Sequence, residues 1–464
     1  MMLGCLVCFC RHIKRKVTSR CLIGGIILLC ITFAVIRSKY NFGVSDMPGQ
    51  EMEAVHDHIQ QRHQSRNSLN FDDVINATYH DLDRLREEQQ TRTQHLHAQC
   101  DLLHNTTRGL SSEDWAYGRI EVDHTQHYLY CPLLKVGSTF FRRVFYTMRQ
   151  GRRLVNPYLV PINKALAAKR NVLTQILPLT SPETTAFLNN ATSIIFVREP
   201  FSRILSGYVD KLFAPNPYFW SQIGKYVVSK FRPEAKRKDL VCGSDVTFEE
   251  FISYLIDGEL TNSSHRDAHF TPAYDQCKPC HLNYTVVGKM ETFQTDVSYT
   301  LAQLGFNVSK EKLSQWSNDA THDAILDSIV SPFGWRSMVR KCMSWYEGLK
   351  RIWRKIQIRG IISMEEKFPW SRDFSERSVT IRMFTDRVKK LHAQTDKTKL
   401  KKQRKEVVIE AFSRIKQEDL KKLVEMFRPD FQLFEYDTRP DFIFSEEIVK
   451  PFRQKNNLFN VFNV

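Results

Sequence analysis

The 464-residue chain predicts an α/β domain, a parallel central sheet flanked by helices, set behind an N-terminal transmembrane helix and a stem. Three observations carry that expectation. Two short apolar runs, residues 127–131 (HYLYC) and 193–197 (SIIFV), each lead through a loop into a segment with helical spacing. A charge-free apolar run fills residues 21–36, behind a basic prefix. Between the two, residues 38 to about 98 are polar and poor in apolar clusters.

The apolar run CLIGGIILLCITFAVI follows Arg11, Lys14, Arg15, Lys16 and Arg20 and precedes Arg37 and Lys39. Sixteen residues of helix span roughly 24 Å, short of a ~30 Å hydrocarbon core but tolerable where flanking side chains snorkel or the bilayer is thin. The heavier basic flank is N-terminal, so residues 1–20 read as a cytosolic tail and residues 21–36 as a signal anchor, with the C-terminal mass luminal. A cleaved signal peptide is the rival reading, but no small-x-small site follows the run.

Residues 37–98 read as a luminal stem, with helical spacing from Asp72 to Leu103 (Val74, Leu82, Leu85, Leu96). The sequence is 42% hydrophobic and 12% aromatic, enough apolar material for a core and far from a disordered composition. The net charge is +16, and seven of those charges lie in residues 1–39, which contain no acid. The body is therefore basic in its own right and suits an anionic partner, although a solvated basic surface would look the same.

Two features fit a luminal body. Six Asn-x-Ser/Thr sequons stand at Asn76, Asn105, Asn190, Asn262, Asn283 and Asn307. Six cysteines follow the anchor: Cys100, Cys131, Cys242, Cys277, Cys280 and Cys342. That even number suits disulfides of unstated connectivity. Cys277-Lys-Pro-Cys280 resembles half a zinc site, but no second half completes it.

Two strand–loop–helix junctions carry the chemistry. The first is Leu134-Lys135-Val136-Gly137-Ser138-Thr139-Phe140-Phe141. A Gly, Ser and Thr loop opening a helix offers N–H groups and hydroxyls to an anion, and Lys135 adds a point charge. It is not a Walker loop, and alone it reads equally well as an ordinary turn. The second runs from Val197 to Tyr208, with Arg198 after the strand, Pro200 opening the helix and Ser206 two turns in. An Arg fork and a hydroxyl suit a phosphate, although Arg198 would also pair with Glu199. Further along, residues 214–245 look loop-like and basic, and a helix with Thr247 as its N-cap covers 247–255. Residues 310–400 show helical patches rich in Trp and Arg, and 406–427 an amphipathic helix or helix pair.

Together these junctions resemble the Golgi carbohydrate sulfotransferases, in the branch with the chondroitin, dermatan and N-acetylgalactosamine 4-O-sulfotransferases. That family's motifs are similar to PKVGCSNWKR and VREPFERLVSAYRDK; this chain has LKVGSTFFRR at 134–143 and VREPFSRILSGYVDK at 197–211. The likeness continues through 246–257 and 269–296 and ends with DFQLFEYD at 430–437. It implies a P-loop-like sulfotransferase fold over residues 99–445, with 446–464 as a C-terminal tail. It also implies a Golgi membrane location, single-pass type II, and PAPS as sulfuryl donor.

By the same resemblance, Lys135, Val136, Gly137, Ser138, Thr139 and Phe140 would hold the donor's 5′-phosphate and sulfate. Arg198 and Ser206 would hold its 3′-phosphate. Lys135 would stabilise the leaving oxygen, and the acceptor hydroxyl needs a base. His269 matches a family position and is the first candidate; His265 and Asp267 are the others. The plain alternative is that His269 only packs or hydrogen-bonds its loop. No metal and no nucleic acid is expected. The acceptor would be a glycan of chondroitin or dermatan type, with the basic runs 225–238 and 387–405 as candidate tracks. Leu134 replaces the family's Pro, Phe141 stands where Trp is frequent, and His269-Phe270 replaces His-Trp. The changes at Leu134 and Phe141 support one alternative, an inactive homologue acting as a luminal glycan-binding protein. A luminal kinase or nucleotidase lacks its motifs here.

Overall fold

The Asp123 carboxylate accepts from the backbone N–H groups of Thr125 and Gln126, both at 3.0 Å, and His127 takes a positive φ of 49°. This tight turn makes a hairpin of β1 (Glu121–Asp123) and β2 (Tyr128–Cys131). A connection that short joins only antiparallel strands. In the computed structural model the sheet has five strands in the order β3-β1-β2-β4-β5, with β3 at Asn171–Val172, β4 at Thr192–Val197 and β5 at Val286–Lys289. The pairs β2·β4 and β4·β5 are parallel; β1 is antiparallel to both neighbours. The expected parallel sheet is thus a mixed one, with a three-strand parallel part and an antiparallel edge. The structure describes residues 71–104, 118–151, 154, 156–173, 181–260, 266–306, 308–454 and 461–463, all within one unit, His58–Val464. The expected anchor at 21–36 lies outside them, and among the described residues no helix is long and apolar enough to cross a membrane.

Both expected junction helices form. The first, α2, spans Ser138–Arg149 and buries Phe140, Phe141, Val144, Phe145 and Met148 against the sheet. Phe141 packs on Phe196 of β4 with ring centroids 4.5 Å apart. The second, α3, spans Pro200–Tyr208 and continues as a π-turn through Val209–Phe213. Ahead of both, α1 (Phe71–His104) forms where stem-like spacing was read, but it docks on the sheet. Leu85, Leu96 and Leu103 enter the same apolar core as the strands. The Arg92 guanidinium bonds the Asp296 carboxylate at 2.9 Å and the Val287 carbonyl of β5 at 3.0 Å.

Residues 214–245, expected as loop, instead hold short helices at Lys225–Phe231 and Arg237–Cys242 and a π-turn at Trp220–Gly224. Their brevity leaves no periodic stripe to read. Here Gly224 and Gly243 cross so closely that a Cβ on Gly224 would sit 2.0 Å from the Gly243 carbonyl oxygen. Helix α4 (Phe248–Leu260) starts at the expected cap, where Thr247 Oγ1 accepts the Glu250 N–H at 3.2 Å.

Beyond β5 the chain is helical: α5 (Phe293–Gln303), α6 (Lys310–Gly334), α7 (Trp345–Ile358) and α8 (Ile381–Gln394). Helices α6 to α8 enclose a separate apolar cluster that includes Ile329, Trp345, Ile352, Trp353 and Phe384. The expected helix pair appears as α9 (Lys397–Ser413) and α10 (Gln417–Met426). The segment read as a tail forms α11 (Glu446–Arg453), and Val449 and Val461 are buried.

All six cysteines beyond the anchor pair: Cys100–Cys280, Cys131–Cys277 and Cys242–Cys342. Of the sequons, Asn190 and Asn283 are exposed; Asn105, Asn262 and Asn307 lie outside the described residues.

Candidate functional site

Because β2, β4 and β5 run parallel, the loops that follow them emerge on one edge of the sheet, where open α/β sheets gather ligands. Lys135 and Arg198 therefore stand at neighbouring strand ends.

The loop after β2 is held tightly. Val136 is fully buried beneath it. Lys135 and Gly137 both take left-handed backbone, with φ of 71° and 81°. Glycine is required at 137 twice over, because a Cβ there would also lie 2.7 Å from the Phe293 ring. For Lys135 the same conformation is strained, and strain of that kind persists where surrounding contacts fix it. Gly137 is the N-cap of α2, with no side chain capping the helix and no acid in its first turn. The first-turn N–H groups, those of Ser138 and Thr139 among them, are thus left to an anion. Ser138 and Phe140 are buried and Thr139 is half-buried.

The Lys135 ammonium bonds Asp210 Oδ2 at 2.8 Å. The same carboxylate takes Lys355 Nζ on Oδ1 at 2.6 Å and Lys211 Nζ on Oδ2 at 3.2 Å. Burial raises the Asp210 carboxyl, yet Lys135, Lys355 and Lys211 outweigh it and hold the group well below its ordinary range. Lys135 is also pushed down, to about 8, by burial first, with Asp210 opposing and Lys211 and Lys355 assisting. The carboxylate gains from three ammonium groups, whereas Lys135 loses solvation on burial and feels the other two ammonium groups, so both shift downward.

At the second junction Glu199 does not pair with Arg198. Its carboxylate caps α3, accepting the N–H groups of Phe201 at 2.8 Å and Ser202 at 2.7 Å. Arg198 is half-buried and makes no hydrogen bond or ion pair among the described residues. Burial lowers its pKa, and Glu291 and Glu199 counter that. Ser206 lies half-buried on α3. Glu291, just past β5, accepts the Glu199 N–H at 3.1 Å and the Tyr436 hydroxyl at 3.0 Å.

His269 is close enough to Lys211 and Lys135 to be coupled to both electrostatically. Its Nδ1 is 2.6 Å from Asp267 Oδ1, which also accepts the His269 N–H at 2.8 Å. Burial depresses the imidazole to about 4; Asp267 opposes this, and Lys211 and Lys135 add to it. Asp267 is held low by His269 and Lys211 despite its own burial. The ring is therefore neutral near pH 7, and the Asp267 contact sets Nδ1 as its protonated nitrogen, leaving Nε2 a free lone pair. His269 packs edge-on to Phe219 at 5.2 Å, and Lys211 Nζ sits 4.9 Å from the centroid of that same ring. Helix α3 reaches this loop at Gly207, where a Cβ would lie 2.7 Å from the Phe270 ring and 3.3 Å from the His269 carbonyl. His265, the other histidine candidate, lies outside the described residues.

The residues that motif reading left without a role are Asp210, Lys211, Glu291, Tyr436 and Lys355. The first four lie inside stretches quoted for the resemblance, Asp210-Lys211 closing the second motif, and a charged pair ending a ligand-binding helix was the available signal. Lys355 had none.

The structure thus offers an uncapped helix N-terminus beside Lys135, an arginine without a hydrogen-bond partner among the described residues, and a half-buried carboxylate–imidazole pair. Residues 118–345, just under half of the chain, match the model of the sulfotransferase family. The relatives are carbohydrate sulfotransferases, as the motifs implied. Carbohydrate sulfotransferase 11 of Rattus norvegicus is 31% identical over 226 residues, 48% of this chain and 62% of that protein. Carbohydrate sulfotransferase 9 of Homo sapiens is 31% identical over 226 residues, 48% of this chain and 49% of that one. Carbohydrate sulfotransferase 14 of Danio rerio is 28% identical over 187 residues, 40% and 48% of the two chains. The matched stretch spans less than two thirds of each relative's length. No solved structure matches the chain.

Proposed function

We propose that this protein transfers a sulfuryl group from PAPS to a hydroxyl of a glycan. The observation that carries the reading is the shared edge: Lys135 and Arg198 stand on loops after adjacent parallel strands, with the His269–Asp267 pair coupled electrostatically to Lys135. Three ammonium groups around one carboxylate leave surplus positive charge that an anionic donor would balance. Residues 135–140 would hold the 5′-phosphate and sulfate, and Arg198 with Ser206 the 3′-phosphate. PAPS supplies an activated sulfuryl group on a phosphate leaving oxygen.

The chain's own residues then divide the work. Nε2 of His269 takes the acceptor hydroxyl's proton as its oxygen bonds sulfur and the old sulfur–oxygen bond breaks. Asp267 orients the ring and stabilises the imidazolium. Lys135 stabilises charge on the departing phosphate oxygen. No step requires a metal.

The glycan-binding, inactive alternative has little left to stand on. Phe141 is a core side chain, 0% exposed, so Trp-to-Phe there is a packing change. Leu134 contributes its backbone carbonyl, which any residue keeps.

An acidic acceptor of chondroitin or dermatan type is supported beside the base. Arg119, Arg142 and Arg170 gather near Glu121 at the β1 edge, Arg170 bonding it at 3.0 Å, and Arg119 is coupled to Asp267. The run 225–238 is a weaker track, because Lys230 is paired with Asp257 and Arg232 with Glu250 and Asp245. The basic prefix, the apolar run at 21–36 and three disulfides support a luminal, Golgi-type placement.

The test is transfer of labelled sulfate from PAPS to chondroitin, dermatan, heparan and N-acetylgalactosamine-terminated glycans. Lys135→Ala and Arg198→Ala should abolish turnover while the protein stays folded. Unchanged activity in either variant would remove that residue from the site.

A further inference from the structure

Lys355 lies on α7, beyond the residues that the sulfotransferase model matches. Its side chain is 5% exposed, and its ammonium reaches Asp210 Oδ1 at 2.6 Å. Asp210 Oδ2 holds Lys135 at 2.8 Å, so one carboxylate bridges a motif lysine and a lysine from a separate helical layer. Charge neutralisation alone does not explain this. Asp210 already has Lys135 and Lys211 within 3.2 Å, and a third buried ammonium costs solvation with no second carboxylate bonded to it. Asp327 also feels the Lys355 charge, but its hydrogen bond comes from Arg359 at 3.1 Å.

We infer that Lys355 is a positioning residue for sulfuryl transfer: by occupying Oδ1 of Asp210 it shares out that carboxylate's charge and weakens its hold on the Lys135 ammonium, which can then meet the donor. The inference rests on the proposed role of Lys135. With Lys355 absent, Asp210 would hold Lys135 in a fuller ion pair. Arg359, the residue that closes α7, is electrostatically coupled to Arg198, so this end of the helix is felt at both junctions.

The charged and titratable groups facing Lys135 are Asp210 and Lys211 from the turn after α3, Lys355 from α7, Asp327 from α6 and His269 from the loop before Cys277. Of these, Lys211 and Lys355 lower its proton affinity and Asp210 raises it.

The experiment uses the full-length protein and its Lys355→Gln and Lys355→Arg variants. It reads kcat, donor KM, the pH profile, thermal unfolding, and calorimetric binding of adenosine 3′,5′-bisphosphate. Lys355→Gln should lose roughly 10- to 100-fold in kcat. Its alkaline limb should move above the wild-type position, set by Lys135 near 8. Lys355→Arg should recover most of the rate. A folded Lys355→Gln protein with an unmoved limb overturns the inference, because a purely structural lysine would leave the pH profile in place. Should that variant not fold, Asp210→Asn reads the same link from the other side. It must shift the limb downward, and an unshifted limb is equally fatal. Wild-type protein that binds the bisphosphate but transfers nothing removes the transferase reading instead. The Lys355 link is then read from the pH dependence of binding, with the same directions expected.

Discussion

Arg203 Nε donates to the Leu134 carbonyl at 3.1 Å, so the helix after β4 physically holds the turn after β2. Arg203 is 2% exposed, and burial lowers it to about 10 against the opposing pull of Asp430. One motif thus braces the other, and the two loops form a single mechanical unit.

Replacing that brace should be felt in both fold and binding. Arg203→Met is expected to cost about 1.5–3 kcal/mol of stability, the range for a hydrogen bond to a charged group. It should also weaken bisphosphate binding, since Lys135 sits on the loosened turn. Lys at 203 should not rescue, because an ammonium lacks the planar donor that reaches the carbonyl. Denaturant unfolding and calorimetric titration check the two effects together.

Arg198 should behave in the opposite way. With no protein partner to lose, Arg198→Ala should leave the unfolding midpoint nearly unchanged. Affinity for adenosine 3′,5′-bisphosphate should fall roughly 10- to 100-fold, as for loss of a charge-assisted contact. A large fall in stability without loss of affinity would assign Arg198 a structural role.

For His269 the sign of the pH dependence is fixed by its depressed proton affinity. Between its ordinary 6.5 and about 4 the folded protein binds fewer protons than the unfolded chain. Stability therefore rises with pH across that window and is lost on acidification through it. His269→Asn should flatten this dependence in unfolding curves taken from pH 4 to 7. In the wild type the acidic limb of kcat/KM should lie nearer 4 than 6.5, and the variant should lose about 10²- to 10⁴-fold in rate.

Gly207 offers a probe that leaves every charged group intact. Gly207→Ala drives a methyl into the buried Phe270 ring, and overpacking of this kind costs about 1–3 kcal/mol. Because His269 is the next residue along that loop, kcat should fall more than donor affinity. Steady-state kinetics and thermal unfolding of the purified variant separate the two.

The Cys131–Cys277 bridge ties the last residue of β2 to the helix that follows the His269 loop, across 146 residues of chain. Cys131→Ser with Cys277→Ser should lower stability by about 2–5 kcal/mol. Unfolding midpoints with and without reductant measure it.

Much of this site was legible because its parts are local. A short apolar run, a glycine turn and a helix with apolar residues three and four apart announce themselves in the sequence, as at 127–149 and 192–208. The antiparallel strands β1 and β3 were not legible, since three residues and two carry no alternation worth reading. The helices within 214–245 were hidden for the same reason of length. Lys355 was invisible on other grounds. Its role depends on where α7 docks, 145 residues from Asp210 in sequence, and docking is a property of packed faces that no local spacing encodes.

The docking of α1 sets where a recombinant fragment can begin. A chain started at residue 99, where the composition turns from polar to apolar, would discard Leu85, Arg92 and Leu96 and expose the flank of β5 they cover. A start near residue 80 retains that cover, so expression trials are better judged by the helix than by the change in composition.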